Sequence, residues 1–247
     1  MKLLTILALT FTSILAQAGP HLVFVIGEKE YGTHESLPAF FESDLKPAGY
    51  TATFITAPPE EGVRDDFSGL AKALKKADAC FISARRRAPA AKDMQALKQF
   101  VADGKPLIAI RTSSHAFHLK GAPIPDGHEL WEEFDPAILG GNYDGHYREE
   151  IATMSVAEEA KDHPIFKGLG KLPTSDKLYR NAPLAESTTL LLTGTIEGQA
   201  PEPTAWTNTV GDNNAKIFST SLGQLSDFEN TEFRKFIKNA IDWAVAE

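Results

Sequence analysis

Arg111, Ser113, Ser114, His115 and His118 follow closely on the apolar run Pro106–Ile110. An imidazole titrates near neutral pH, so it suits proton transfer. An arginine offers a rigid fork of donors to a carboxylate, a phosphate or sugar hydroxyls. His115 and His118 stand three residues apart and could share one helix face. Two other short stretches carry similar chemistry: Glu28, Glu30, Tyr31 and His34 follow "HLVFVIG", and Arg85, Arg86 and Arg87 follow "ACFISA". The glycine-rich "GGNYDGHY" adds Asp144, His146 and Tyr147. Tyr179 in "DKLYRN" and Trp206 in "PTAWTN" could offer ring faces to a sugar.

Each group also has a plainer reading. Arg111 could pair with Glu28 or Glu30, and the arginine run could be a solvated loop. The glycine-rich stretch could be a surface turn, and the two aromatic residues could be core packing. The case for a site lies in their convergence, which depends on the elements that carry them.

"HLVFVIG", "YTATFITA", "ACFISA" and "PLIAI" read as short apolar strands. Between them Leu37, Phe40, Phe41 and Leu45, then Phe67, Leu70, Ala71 and Leu74, then Met94, Leu97 and Val101 recur at helical spacing. Gly104 suits the left-handed cap of the third helix. Strands that are apolar throughout and alternate with helices imply a parallel sheet covered on both faces. Ligands of such sheets bind outside the carboxyl ends of the strands, and the loops bearing Glu30 and His34, Arg85–Arg87 and Arg111–His118 all lie there. The second half is less regular, with strand-like "EEIATMSV", "KLYRNA", "TTLLLTGTI", "PTAWTNTV" and "AKIFSTSL". Asn230 is a candidate cap for a closing helix whose stripe is Phe233, Phe236, Ile237, Ala240, Ile241 and Ala244.

The chain has 247 residues and a net charge of -8, so it has no basic footprint for nucleic acid. "MKLLTILALTFTSILAQAG" reads as a signal peptide, residues 1–18, cleaved after Ala18. The mature protein, 19–247, is then expected to be one domain, periplasmic or secreted, without a membrane span. The single cysteine, Cys80, lies in an apolar strand and reads as an inert buried thiol. There is no glycine-rich dinucleotide fingerprint, no P-loop and no G-x-S-x-G elbow. His34, His115, His146 and a carboxylate would be a reasonable zinc set, but no compact ligand motif occurs, so no metal and no cofactor are assigned.

The segment "RRRAPAAKDMQALKQFVADGKPLIAIRTSSHAF" resembles ThuA-like proteins, named for trehalose utilisation. So do "LGGNYDGHY", "HPIFKGL", "DKLYRN" and the C-terminal "PTAWTN" and "AKIFSTSLGQLSDFENTEFRKFIKNAIDWA", in that order. The resemblance implies a three-layer α/β/α, flavodoxin-like fold of the class I glutamine amidotransferase type, with a mostly parallel sheet. In amidotransferases of that fold the strand matching "PLIAI" leads to a nucleophilic cysteine. Here Arg111 or Thr112 takes the place, which argues against glutamine hydrolysis. Members often carry Leu-Gly-His where this chain has Leu222-Gly223-Gln224.

The expected partner is a small-molecule carbohydrate, trehalose or a keto-disaccharide, and a homo-oligomer is compatible with the sequence. As an enzyme the protein would be a sugar-modifying isomerase, lyase or hydrolase. His115 or His34 would move a proton, Arg111 would orient an oxygen and Glu30 would orient a histidine. Tyr31, Arg86, Arg87, Ser114, His146, Tyr147, Tyr179, Trp206 and Gln224 complete the expected substrate contacts. The alternatives are a non-catalytic sugar-binding module on the same scaffold and a metal-dependent hydrolase.

Overall fold

The computed structural model describes residues 19–57, 67–148, 150–173 and 177–246, so the expected signal peptide lies outside the described residues. The first strand, β1 (His21–Gly27), is buried on both faces. Its side chains alternate between two core clusters. Leu22, Phe24 and Ile26 join one with α1 (Thr33–Phe40) and α5 (Thr231–Val245). Val23 and Val25 join another with α2 (Leu70–Leu74) and α3 (Ala91–Ala102). The period of two in a strand sends neighbouring residues to opposite faces.

β1 pairs in parallel with β2 (Thr51–Thr56) and β3 (Ala79–Ala84), and β3 with β4 (Leu107–Ile110). The chain then leaves the sheet for a long excursion and returns as β5 (Thr153–Val156), β6 (Thr189–Thr195), β7 (Glu202–Val210) and β8 (Ala215–Thr220). The eight-stranded order is β2-β1-β3-β4-β8-β7-β6-β5. β8 joins β4 in parallel, whereas β7, β6 and β5 extend the sheet by antiparallel pairing. The fold is therefore α/β, with a mostly parallel sheet and one antiparallel part.

Phe24 ties together the three strands β2, β1 and β3 at one side of the sheet, stacked 4.8 Å from Phe54 and 5.0 Å from Phe81. α5 buries the expected stripe from Phe233 to Ala244. Asn230 caps it, its side-chain oxygen accepting from Glu232 N at 2.8 Å and Phe233 N at 3.2 Å. Each large apolar side chain removed from water contributes about 1.5–3 kcal/mol, so this stripe outweighs any cap.

Three local expectations need correction. The second helix spans only Leu70–Leu74 and does not begin at Phe67. "KLYRNA" is not a strand; Tyr179 makes one isolated antiparallel bridge with His146. His115 and His118 share no helix face, because a 3-10 turn, Arg111–His115, ends before His118. Among the described residues no helix is long and apolar enough to cross a membrane.

Candidate functional site

The parallel strands β1, β3, β4 and β8 end at one edge of the sheet, at Gly27, Ala84, Ile110 and Thr220. Arg111 begins the turn after β4 with φ of 50°, a left-handed conformation that costs energy for a residue with a Cβ. Its side chain is only 2% exposed. The guanidinium carbon lies 4.2 Å from the Tyr31 ring centre and 4.8 Å from that of Tyr179. Nη1 donates to the Ser221 carbonyl at 2.7 Å. Neither expected carboxylate pairs with it. Glu28 folds into the turn before α1, accepting from Tyr31 N at 2.7 Å, Thr33 N at 2.8 Å and the Thr33 hydroxyl. Glu30 pairs with Arg85 at 3.3 Å.

From Tyr31 a series of ring contacts runs through Arg111 and Tyr179 to Tyr143 and His115. A hollow lies at each end. One, of about 670 Å³, is lined by Glu30, Tyr31, His34, Lys177 and Gln224 among others. The other, of about 620 Å³, is lined by Arg86, Ser114, His115, His118, Asp135, Tyr143 and His146 among others. His34 and His115 therefore do not share a hollow, and His34 Nε2 lies 3.4 Å from Glu35.

The second hollow has the chemistry of a reaction site. His115 is held by its backbone carbonyl, which accepts from Arg86 N at 3.0 Å. Its ring stacks on Tyr143 at 4.6 Å, and its Nδ1 lies 3.1 Å from the Ser114 hydroxyl. Burial, then the charges of Arg86 and Arg85, push its pKa down to about 3, so the imidazole is neutral at physiological pH. Asp135 faces the opposite situation. It is buried, and burial raises its carboxyl to about 6, against the opposing hydrogen bond from Tyr143 N at 2.8 Å to Oδ2. Its other oxygen, Oδ1, is buried without a protein partner. Tyr143 thus touches both groups, Asp135 through its amide and His115 through its ring. The hollow presents a carboxyl that titrates near neutrality beside an imidazole that stays uncharged, a combination suited to acid/base work.

Sequence reasoning missed Asp135 and Tyr143. Asp-Pro reads as turn chemistry, and Tyr143 as one more loop aromatic. One signal was available: an acidic residue inside the apolar "FDPAIL", whose neighbours Phe134 and Leu139 are buried.

The remaining expected residues divide. Arg86, Ser114 and His146 line the Asp135 hollow. Arg87 is turned inward, its Nε donating to the Gly27 carbonyl at 2.7 Å. Trp206 and Tyr179 are each 2% exposed, which leaves no free face for a sugar ring. The Trp206 indole donates to the Leu139 carbonyl at 2.7 Å and belongs to the interior. Tyr147 packs against the core. Gln224 caps α4 (Leu225–Glu229) through a reciprocal capping box with Asp227, while lining the first hollow. Cys80 is fully buried and its thiol is pushed far up by burial, so it is no nucleophile. Among the described residues no group of His, Cys, Asp and Glu side chains converges at metal-holding distance.

A family model described as ThuA, trehalose utilisation, matches residues 22–244. No curated protein matches the sequence significantly. Among solved structures, a ThuA-like protein from Bacteroides uniformis is similar at TM-score 0.68 and 14% identity, covering 97% of this chain and 96% of that one. A ThuA-like protein from Parabacteroides merdae is similar at TM-score 0.62 and 14% identity, covering 92% and 90%. A GMP synthase component from Thermoplasma acidophilum aligns at TM-score 0.50 and 12% identity over 92% and 97%. At such identities the likeness concerns the fold.

Proposed function

Because the chain belongs to the ThuA family of trehalose utilisation, we propose that it acts on a carbohydrate by acid/base chemistry in the Asp135 hollow. The scaffold is then the three-layer, flavodoxin-like fold of the class I glutamine amidotransferase type, used without its cysteine. The substrate is trehalose or a keto-disaccharide, and the reaction an isomerisation, elimination or hydrolysis. The protein works outside the cytoplasm, after cleavage following Ala18.

One observation carries this reading. Asp135 is a buried carboxyl with an unpartnered oxygen and a pKa of about 6, in the same hollow as neutral His115. A carboxyl so placed exchanges a proton with substrate near neutral pH. His115, uncharged, donates or accepts a hydrogen bond without competing for that proton. The exposed ring of His146 and the Arg86 guanidinium meet hydroxyl groups, and the Tyr143 ring covers an apolar sugar face. The hollow is within the usual range for small-ligand sites, ~300–1,000 Å³. Arg111, buried behind the tyrosines, is a positioning residue in this account and not a substrate contact.

The test is a thermal-shift screen of oxidised and unoxidised disaccharides, followed by product analysis of each hit. A ligand of the native state raises the midpoint by mass action. Hits that are converted, with turnover depending on Asp135, support the reading. Saturable binding without product favours the binding module instead.

A further inference from the structure

A small cavity of about 10 Å³ adjoins Arg111 and is lined in part by Asn181, Trp206 and Ser219. Arg111 uses Nη1 on the Ser221 carbonyl, and the tyrosine rings cover its guanidinium group. Its Nε and Nη2, the two donors of the side-on edge, are buried without a protein partner. Ser219 Oγ, on β8, is in the same condition. Among the described residues no carboxylate lines this cavity. A buried cation needs a compensating charge, which ring faces and one carbonyl supply only in part. The space admits about one water-sized group, too little for a carboxylate or phosphate.

We propose that this cavity binds a single-atom anion of the halide class, held by the Nε–H and Nη2–H of Arg111 and the Ser219 hydroxyl. The anion neutralises the guanidinium and holds it against Tyr31 and Tyr179. This site does not depend on the reading of the Asp135 hollow.

Two measurements test it. Crystals soaked in bromide should give an anomalous peak beside Arg111 and Ser219. Unfolding midpoints, read in chloride against gluconate at constant ionic strength, should rise saturably. At a hundred times the dissociation constant the rise is roughly 5–10 °C. Ser219→Ala should weaken the chloride response, and Arg111→Gln should abolish it. If Arg111→Gln fails to fold, Ser219→Ala and the bromide crystal still decide. An ordered water with no anomalous signal overturns the proposal, as does a chloride response unchanged in Ser219→Ala.

Discussion

Asp135 and His115 occupy one hollow yet respond to pH in opposite senses. The fold raises the Asp135 carboxyl from 3.8 to about 6, so it favours the protonated form. That contribution is fully present below the unfolded value of 3.8 and is lost as pH rises through about 6. Above it, the buried carboxylate costs up to about 3 kcal/mol. Asp135→Asn should therefore raise the unfolding midpoint at pH 8 and leave it nearly unchanged at pH 3.5, while cutting turnover by ~10²–10⁴-fold. A variant that only damaged the structure would lose both. His115 is lowered from 6.5 to about 3, so the fold favours its neutral form. Its contribution is present above 6.5 and is lost as pH falls toward about 3. His115→Gln should flatten the acid side of the stability profile over that window, measured by chemical denaturation at successive pH values. Cys80→Ala should keep full activity, and the native thiol should resist alkylation, because its side chain is sealed in the core.

At the scale of elements, the turn after β8 fixes how α4 meets the sheet edge. Gly223 has φ of 117°, and a Cβ there would lie 2.9 Å from Ile110 Cδ1 at the end of β4. Gly223→Ala should lower stability by about 1–3 kcal/mol, measured in urea. It should also disturb Gln224, whose side chain caps α4 at the first hollow. The strands and their edge were legible in the sequence because doubly buried strands are apolar throughout and end sharply, as Ile110 does before Arg111. The amphipathic closing helix and its Asn230 cap were legible for the same reason: periodicity and a short polar side chain carry them locally. "KLYRNA" misled because Leu178 and Tyr179 are buried by tertiary packing, not by membership of a ladder. Asp135 stayed hidden because its chemistry comes from burial, and burial at that point depends on the nearby Gly141 backbone packed under Trp206, which arrives from a distant part of the chain.

At the scale of the whole molecule, the carboxyl ends of four parallel strands gather loops that are far apart in sequence. The convergence expected of Arg86, Ser114 and His146 has its counterpart in one hollow. His34 was expected beside them, but it follows α1's first turn into the other hollow. Arg111 was expected to meet an acidic partner or a ligand in the crevice, but the Tyr31 and Tyr179 rings cover it instead. No local pattern distinguishes a strand-end arginine that faces solvent from one that is covered. If the export proposal holds, the full-length sequence expressed and recovered from outside the cytoplasm should begin at Gly19 by intact mass. Retention of Met1 there would contradict the export proposal. The central claim, acid/base chemistry on a carbohydrate through Asp135, is tested most directly by product analysis of wild type and Asp135→Asn on a disaccharide that both bind. The account predicts product from the wild type and a loss of at least ~100-fold in the variant at unchanged affinity. Full turnover by Asp135→Asn would contradict it.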